Sequence, residues 1–141
     1  MKKLLIDSGP LIALFDTSDL YHKSAIEFIK INRYPLVTTM ASITETLYLL
    51  DFNKNAQLDF LEWVYRGGVE IFPIGNDDMK RIKELINKYR NVPMDFADAC
   101  LVYVAERLKI NEIVTIDKDF LIYRIGGRKK KFKIIELKAK K

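Results

Sequence analysis

Short apolar runs recur along this chain at Lys3–Ile6, Pro35–Thr38, Val69–Ile74, Ile113–Ile116 and Phe132–Leu137, and helix-length stretches separate most of them rather than hairpin turns. The spacing predicts strands alternating with helices, because strand runs joined by long amphipathic segments cannot pair as neighbouring antiparallel hairpins. The helices fall after Pro10, over Tyr21–Ile31, around Glu45, from Asn55 to Tyr65, from Asp77 or Asp78 to about Tyr89, and from Asp95 to Leu108. Thr38, Thr39 or Ser42 can cap the Glu45 helix, Asp77 or Asp78 can cap the helix that runs to about Tyr89, Pro93 introduces the last one, and the pairs Gly67–Gly68, Gly75–Asn76 and Gly126–Gly127 punctuate the rest. This pattern, with no tandem hairpins, predicts an α/β domain whose parallel sheet is covered by helices on both faces. Ligand sites in such sheets lie beyond the carboxyl ends of the strands, and Asp7 and Asp117 stand at two such ends.

With 141 residues, 49% of them hydrophobic, the chain supports one core, and we expect a single domain over residues 1–141. Its apolar runs are short and broken by charges, which excludes a membrane span. The start MKKLLIDSGPLIALFD imitates a signal peptide only superficially, since Asp7, a Gly-Pro pair and Asp16 interrupt it, so we expect a cytoplasmic protein. Cys100 is the single cysteine and lies among apolar helix residues, which reads as a buried small hydrophobe rather than a catalytic thiol. The net charge of +5 is unevenly spread: the last fourteen residues, 128–141, hold eight Lys or Arg and one Glu, whereas the first 127 carry 16 basic and 18 acidic groups. A basic end beside an acidic body suits a polyanionic substrate, with Arg128, Lys129, Lys130 and Lys131 as candidate nucleic-acid contacts; a solubilising tail is the competing reading.

Four acids each sit at the lip of an apolar run: Asp7 in LLIDSG, Glu45 in SITETLYLL, Asp98 in MDFADACLVYVA and Asp117 in IVTIDKDF. A carboxylate there is costly to desolvate, so the repeated placement points to convergence on a cation. Oxygen ligands without a matching His or Cys set indicate Mg²⁺ or Mn²⁺ rather than zinc. Each acid also has a plainer role open to it. Asp7 or Ser8 can cap a helix, Glu45 can reach solvent or a lysine, Asp95 can cap the helix on which Asp98 occupies an acid-favouring first turn, and Asp117 can close a turn. Asp95 and Asp98, three residues apart, share a helical face, while Asp117 and Asp119 alternate after the fourth strand, Asp117 being nearer its end. His22, the only histidine, lies near a helix start, where capping or solvation suits it better than catalysis.

In this order and on these elements, the blocks LLIDSGPLIALFD, SITETL, PMDFADACLVYVA and IVTIDKDF resemble a PIN domain, and most resemble the small single-domain VapC-type toxins of toxin–antitoxin pairs. The resemblance covers nearly the whole chain. It implies a parallel sheet of four or five strands with helices on both sides, and RNA cleavage by acids that bind one or two Mg²⁺ or Mn²⁺ ions. By motif, Asp7, Glu45, Asp98 and Asp117 are then the catalytic acids, with Asp7, Asp98 and Asp117 as metal ligands. Ser8, Asp95, Thr115 and Asp119 are auxiliary. The sequence Ser8-Gly9-Pro10 departs from the family, where a second Ser, Thr or Asn often follows the aspartate. The resemblance also implies a cognate antitoxin and a homodimer. Tyr21, Phe28, Phe60, Trp63 and Tyr65 are candidates for such surfaces, although an apolar helical stripe is more often core.

The expected reaction is hydrolysis of an RNA phosphodiester by metal-activated water rather than by the RNA's own 2′-hydroxyl. Rival readings are a PIN nuclease of RNA processing outside any toxin pair, and a non-catalytic module that seats a basic peptide. Phosphotransferases of the haloacid dehalogenase and receiver types fit less well. Asp7-Ser8-Gly9 lacks the second aspartate of the former, and the pattern of the latter, adjacent acids with a later lysine at a strand end, is not met.

Overall fold

The computed structural model describes residues 1–127 and 130–139, so Arg128, Lys129 and the last two lysines of the basic end lie outside the described residues. The chain runs β1 (Leu4–Ile6), α1 (Ser8–Phe15), α2 (His22–Ile31), β2 (Leu36–Thr39), α3 (Met40–Leu49), α4 (Lys54–Tyr65), β3 (Glu70–Phe72), α5 (Met79–Lys88), α6 (Phe96–Leu108) and β4 (Glu112–Thr115). It closes with β5 (Arg124–Ile125), β6 (Lys130–Lys131) and β7 (Lys133–Glu136), and single 3-10 turns stand at Asn76–Asp78 and Lys118–Leu121. Five strands form one sheet in the order β3-β2-β1-β4-β7, and every pair in it is parallel.

Alternation along the strands divides the core in two. Leu4, Ile6, Leu36 and Val114 face one layer, where they pack with Leu11 and Leu14 of α1, Ile43 of α3 and Phe60 of α4. Leu5, Val37 and Ile113 face the other, packing with Ile82 and Leu85 of α5 and with Leu101 and Val104 of α6. Helix α6 is buried from Ala97 through Ala105, which accounts for its apolar sequence on nearly every side. It ends at Lys109, whose left-handed backbone (φ 56°) returns an N–H to Ala105.

The chain builds outward from β1 to β2 and β3, then crosses back to β4 and β7 on the other side. The reversal falls between β1 and β4, so the cleft beyond their carboxyl ends is the natural ligand site of the sheet. Asp7 follows β1 there, its N–H bonded to the carbonyl of Val114 on β4 at 3.0 Å.

The expected helices and main-sheet strands all form; the ends at Ile6, Ile31, Tyr65 and Leu108 fall where expected and others shift by a residue or more. Three details differ. Gly126–Gly127, both at positive φ, turn a short antiparallel hairpin β5–β6 that the run lengths did not disclose, so Lys130 and Lys131 are exposed hairpin residues. Asp78 does not cap α5 with its side chain; the carboxylate instead accepts from the Gly75 N–H, the Tyr103 hydroxyl and Arg107. Among the aromatic surface candidates, Phe60 is fully buried and Trp63 is half-buried against Phe15 and Phe60, whereas Tyr65 is exposed. Trp63 lies so close to Gly68 that a Cβ there would fall 2.1 Å from the indole, which requires glycine at that position.

Candidate metal centre

Strand β1 delivers Asp7 to the cleft as the N-cap of α1, where its carboxylate accepts from the Ser8 N–H at 2.7 Å and the Thr115 hydroxyl at 3.0 Å. Helix α6 delivers Asp98 from its first turn; Asp95 caps that helix by accepting the Asp98 N–H at 2.8 Å. Asp117 follows β4, its own N–H bonded to the Thr115 hydroxyl at 2.9 Å and its carboxylate holding the Asp119 N–H at 2.8 Å. The capping roles are thus real, yet they use only part of each carboxylate. Oxygens of Asp7, Asp98 and Asp117 lie within 4.8 Å of one another.

Asp7 and Asp98 are each only 6% exposed. Burial raises the Asp7 carboxyl to about 6, against the pull of the Ser8 and Thr115 hydrogen bonds, with further upward pressure from Glu45 and Asp117. Burial raises Asp98 to about 8, helped by the charges of Asp95, Asp7 and Asp117 and opposed by the Tyr123 hydroxyl, which donates at 3.0 Å. Asp119 is also shifted upward, by burial and then by Asp117. None of the ion pairs among the described residues involves Asp7, Glu45, Asp98 or Asp117. Three converging carboxylates, two of them buried and none ion-paired among the described residues, are what a hard divalent ion requires, so the donor set fits a divalent cation.

Glu45 lies partly buried on α3 and stands apart from that triad. The Ser8 hydroxyl donates to it, which ties Glu45 to the residue after Asp7. Ser8 and Thr115 therefore each touch a carboxylate of the cluster.

The PIN domain family matches residues 4–126. The chain belongs to this family. Among curated PIN relatives, Ribonuclease VapC26 of Mycobacterium tuberculosis is 26% identical over 117 residues, covering 82% of this chain and 87% of the relative. Ribonuclease VapC1 of Aquifex aeolicus is 27% identical over 124 residues, covering 84% of each. Among solved structures, M. tuberculosis VapC20, described as a sarcin–ricin loop cleaving toxin, superposes with a TM-score of 0.75 at 18% identity, over 82% of this chain and 91% of that one. A toxin–antitoxin complex from Klebsiella pneumoniae gives 0.62 at 20% identity, over 83% of this chain and 89% of that one. These two likenesses bear on the fold.

Within this PIN domain, Asp7, Asp98 and Asp117 come together, with Glu45, Ser8, Thr115, Asp95 and Asp119 around them. Tyr123 is the participant that sequence reading missed. It is fully buried, stacks edge-on against Phe120 and Tyr89, and aims its hydroxyl at Asp98. Its only signal was an aromatic spaced three residues after Phe120 in a loop, which carries no chemistry by itself. His22 sits apart from the acids, its Nδ1 bonded to the Ala13 carbonyl at 2.7 Å, so it joins α2 to α1 rather than capping or facing solvent. Cys100 is buried and its thiol is pushed up to about 11, which keeps it inert.

Proposed function

We infer that this chain is a VapC-type toxin, a metal-dependent endoribonuclease with one PIN-like domain. The observation that carries the reading is the trio of carboxylates, Asp7, Asp98 and Asp117, within 4.8 Å and with no ion-pair partner among the described residues. The curated relatives are ribonucleases by name and align along most of this chain, which supports the same activity here. Asp7, Asp98 and Asp117 would hold one or two Mg²⁺ or Mn²⁺ ions. When bound, such an ion supplies the positive charge that activates water as a nucleophile and offsets charge building on the phosphate and the departing oxygen.

The remaining work falls to the protein. Thr115 locks Asp7 and the backbone of Asp117 with one hydroxyl, so two of the three acids keep a fixed separation. Ser8 holds Glu45 toward the same cleft, where its carboxylate orients the attacking water. Tyr123 and Asp95 fix Asp98 from its side chain and its backbone. Lys130 and Lys131, on the exposed hairpin, contribute phosphate attraction together with the rest of the basic end.

A cognate antitoxin that fills the acidic cleft with a basic segment, a homodimeric state and a cytoplasmic setting complete the reading. Among the described residues no helix is long and apolar enough to cross a membrane. The test is cleavage of structured RNA with Mg²⁺ or Mn²⁺, with chelator, and with Asp7→Asn. Cleavage should need the metal, vanish in the variant, and persist when the 2′-hydroxyl at the cut site is methylated. Cutting that ignores the chelator or survives Asp7→Asn overturns the assignment.

A further inference from the structure

Next to the acids, a cavity of about 550 Å³ opens between α3 and the start of α6. Its lining includes Ala41, Ala97, Thr44 and two aromatic side chains, Tyr48 and Phe96, and it is completed by Glu45 and Asp95. Those last two residues also belong to the acidic centre, Glu45 through Ser8 and Asp95 through the Asp98 N–H. The cavity therefore borders the acidic centre through two residues that are hydrogen-bonded to its members. Tyr48 lies one helical turn beyond Glu45 on α3, and Phe96 lies between Asp95 and Asp98 on α6.

Tyr48 is 77% exposed and Phe96 47%. Neither ring packs against another aromatic ring or a cation among the described residues. Two exposed aromatic side chains beside an acidic centre have a complement in single-stranded RNA, whose splayed bases stack on such rings whatever their identity. The carboxylates of Glu45 and Asp95 repel a phosphate but accept from the amino edge of a base. We propose that this cavity receives one unstacked nucleobase next to the cleaved phosphodiester, with Tyr48 and Phe96 as its stacking surfaces.

The inference rests on the RNA-cleaving reading of the acidic centre, and the experiment separates the two. Cleavage of a short single-stranded RNA with one cut site is followed with Mn²⁺, using the intact strand and strands made abasic on either side of the cut. The enzymes are the wild-type protein, Tyr48→Ala, Tyr48→Phe and Phe96→Ala. Both alanine variants should lose about tenfold in kcat/KM on intact RNA, and Tyr48→Phe should keep most of it. Removing the base at one flanking position should cost the wild-type protein a similar factor. On that abasic strand the alanine variants should lose little more, since ring and base are two halves of one contact. If the wild-type protein cuts, but alanine and abasic changes leave kcat/KM intact or act independently, the subsite is wrong and the nuclease stands. If Tyr48→Ala abolishes self-association in sedimentation while cleavage per site is unchanged, the surface belongs to a second copy and the subsite is again wrong. If the wild-type protein cuts no RNA with metal present, the nuclease reading fails and the subsite falls with it.

Discussion

Asp98→Asn removes a buried charge and almost nothing else. The amide carbonyl can still accept the Tyr123 hydroxyl, and the backbone bond to Asp95 does not involve the substituted side chain. In the metal-free protein the folded Asp98 keeps its proton up to about pH 8, whereas an unfolded aspartate releases it near pH 3.9. Between those values the folded state binds the extra proton, so stability falls as pH rises through this window and levels off above it. Asp7, raised to about 6, adds to the lower half of the same decline. At about 1.4 kcal/mol per pKa unit, the Asp98 shift sets a ceiling of about 6 kcal/mol. Part of that is shared with the charges of Asp95, Asp7 and Asp117, and water and mobile cations reach the cleft, so we expect about 2–3 kcal/mol in solution. For a chain of this size that is a rise in Tm of about 6–9 °C at pH 8 in chelator. Near pH 4 the two proteins should melt together. Saturating Mn²⁺ should raise the wild-type Tm and leave the variant almost unmoved. Thermal unfolding followed by circular dichroism at both pH values, with chelator and with Mn²⁺, gives all of these numbers. An Asn variant that is less stable than wild type at pH 8, or a wild-type Tm that does not fall from pH 4 to 8 in chelator relative to the variant, refutes the claim that uncompensated charge is buried there.

Thr115→Val should lower cleavage by about 10–100-fold and weaken Mn²⁺ binding in calorimetry, because Asp7 and Asp117 lose their common hydroxyl. Ser8→Ala should lower kcat by a similar factor while Mn²⁺ affinity holds, since Ser8 positions Glu45 rather than the triad. Gly68→Ala should destabilise the fold by about 1–3 kcal/mol in urea titrations, with Trp63 forced from its place, and kcat should be unchanged under native conditions. Replacing Lys130 and Lys131 together by alanine should reduce the slope of log affinity against log salt by about 1.4 on single-stranded RNA; an unchanged slope makes them solubilising residues.

The order of elements was legible because each signal was local. Gly67–Gly68 and Pro93 interrupt the backbone where they stand, and a run such as Leu4–Ile6 is too short and too apolar to be an amphipathic helix. The α6 run, apolar on every side, had to be buried wherever it was placed. The β5–β6 hairpin escaped because two-residue strands leave no periodicity to read, and its turn glycines looked like a boundary. Tyr123 escaped because an aromatic in a loop is ordinary until its hydroxyl is seen against a carboxylate 25 residues away.

By itself, then, the sequence determined that acids stand at the ends of apolar elements in a strand-helix alternation, since burial tendency and backbone preference belong to neighbouring residues. Only the tertiary structure decided which acids meet. Asp7 and Asp117 are brought together by the parallel pairing of β1 with β4, Asp98 is added by the packing of α6 on the sheet face that carries Leu5, Val37 and Ile113, and Glu45 is left to one side on α3. Those distances depend on strand order and helix packing, which arise from contacts between residues far apart in the chain.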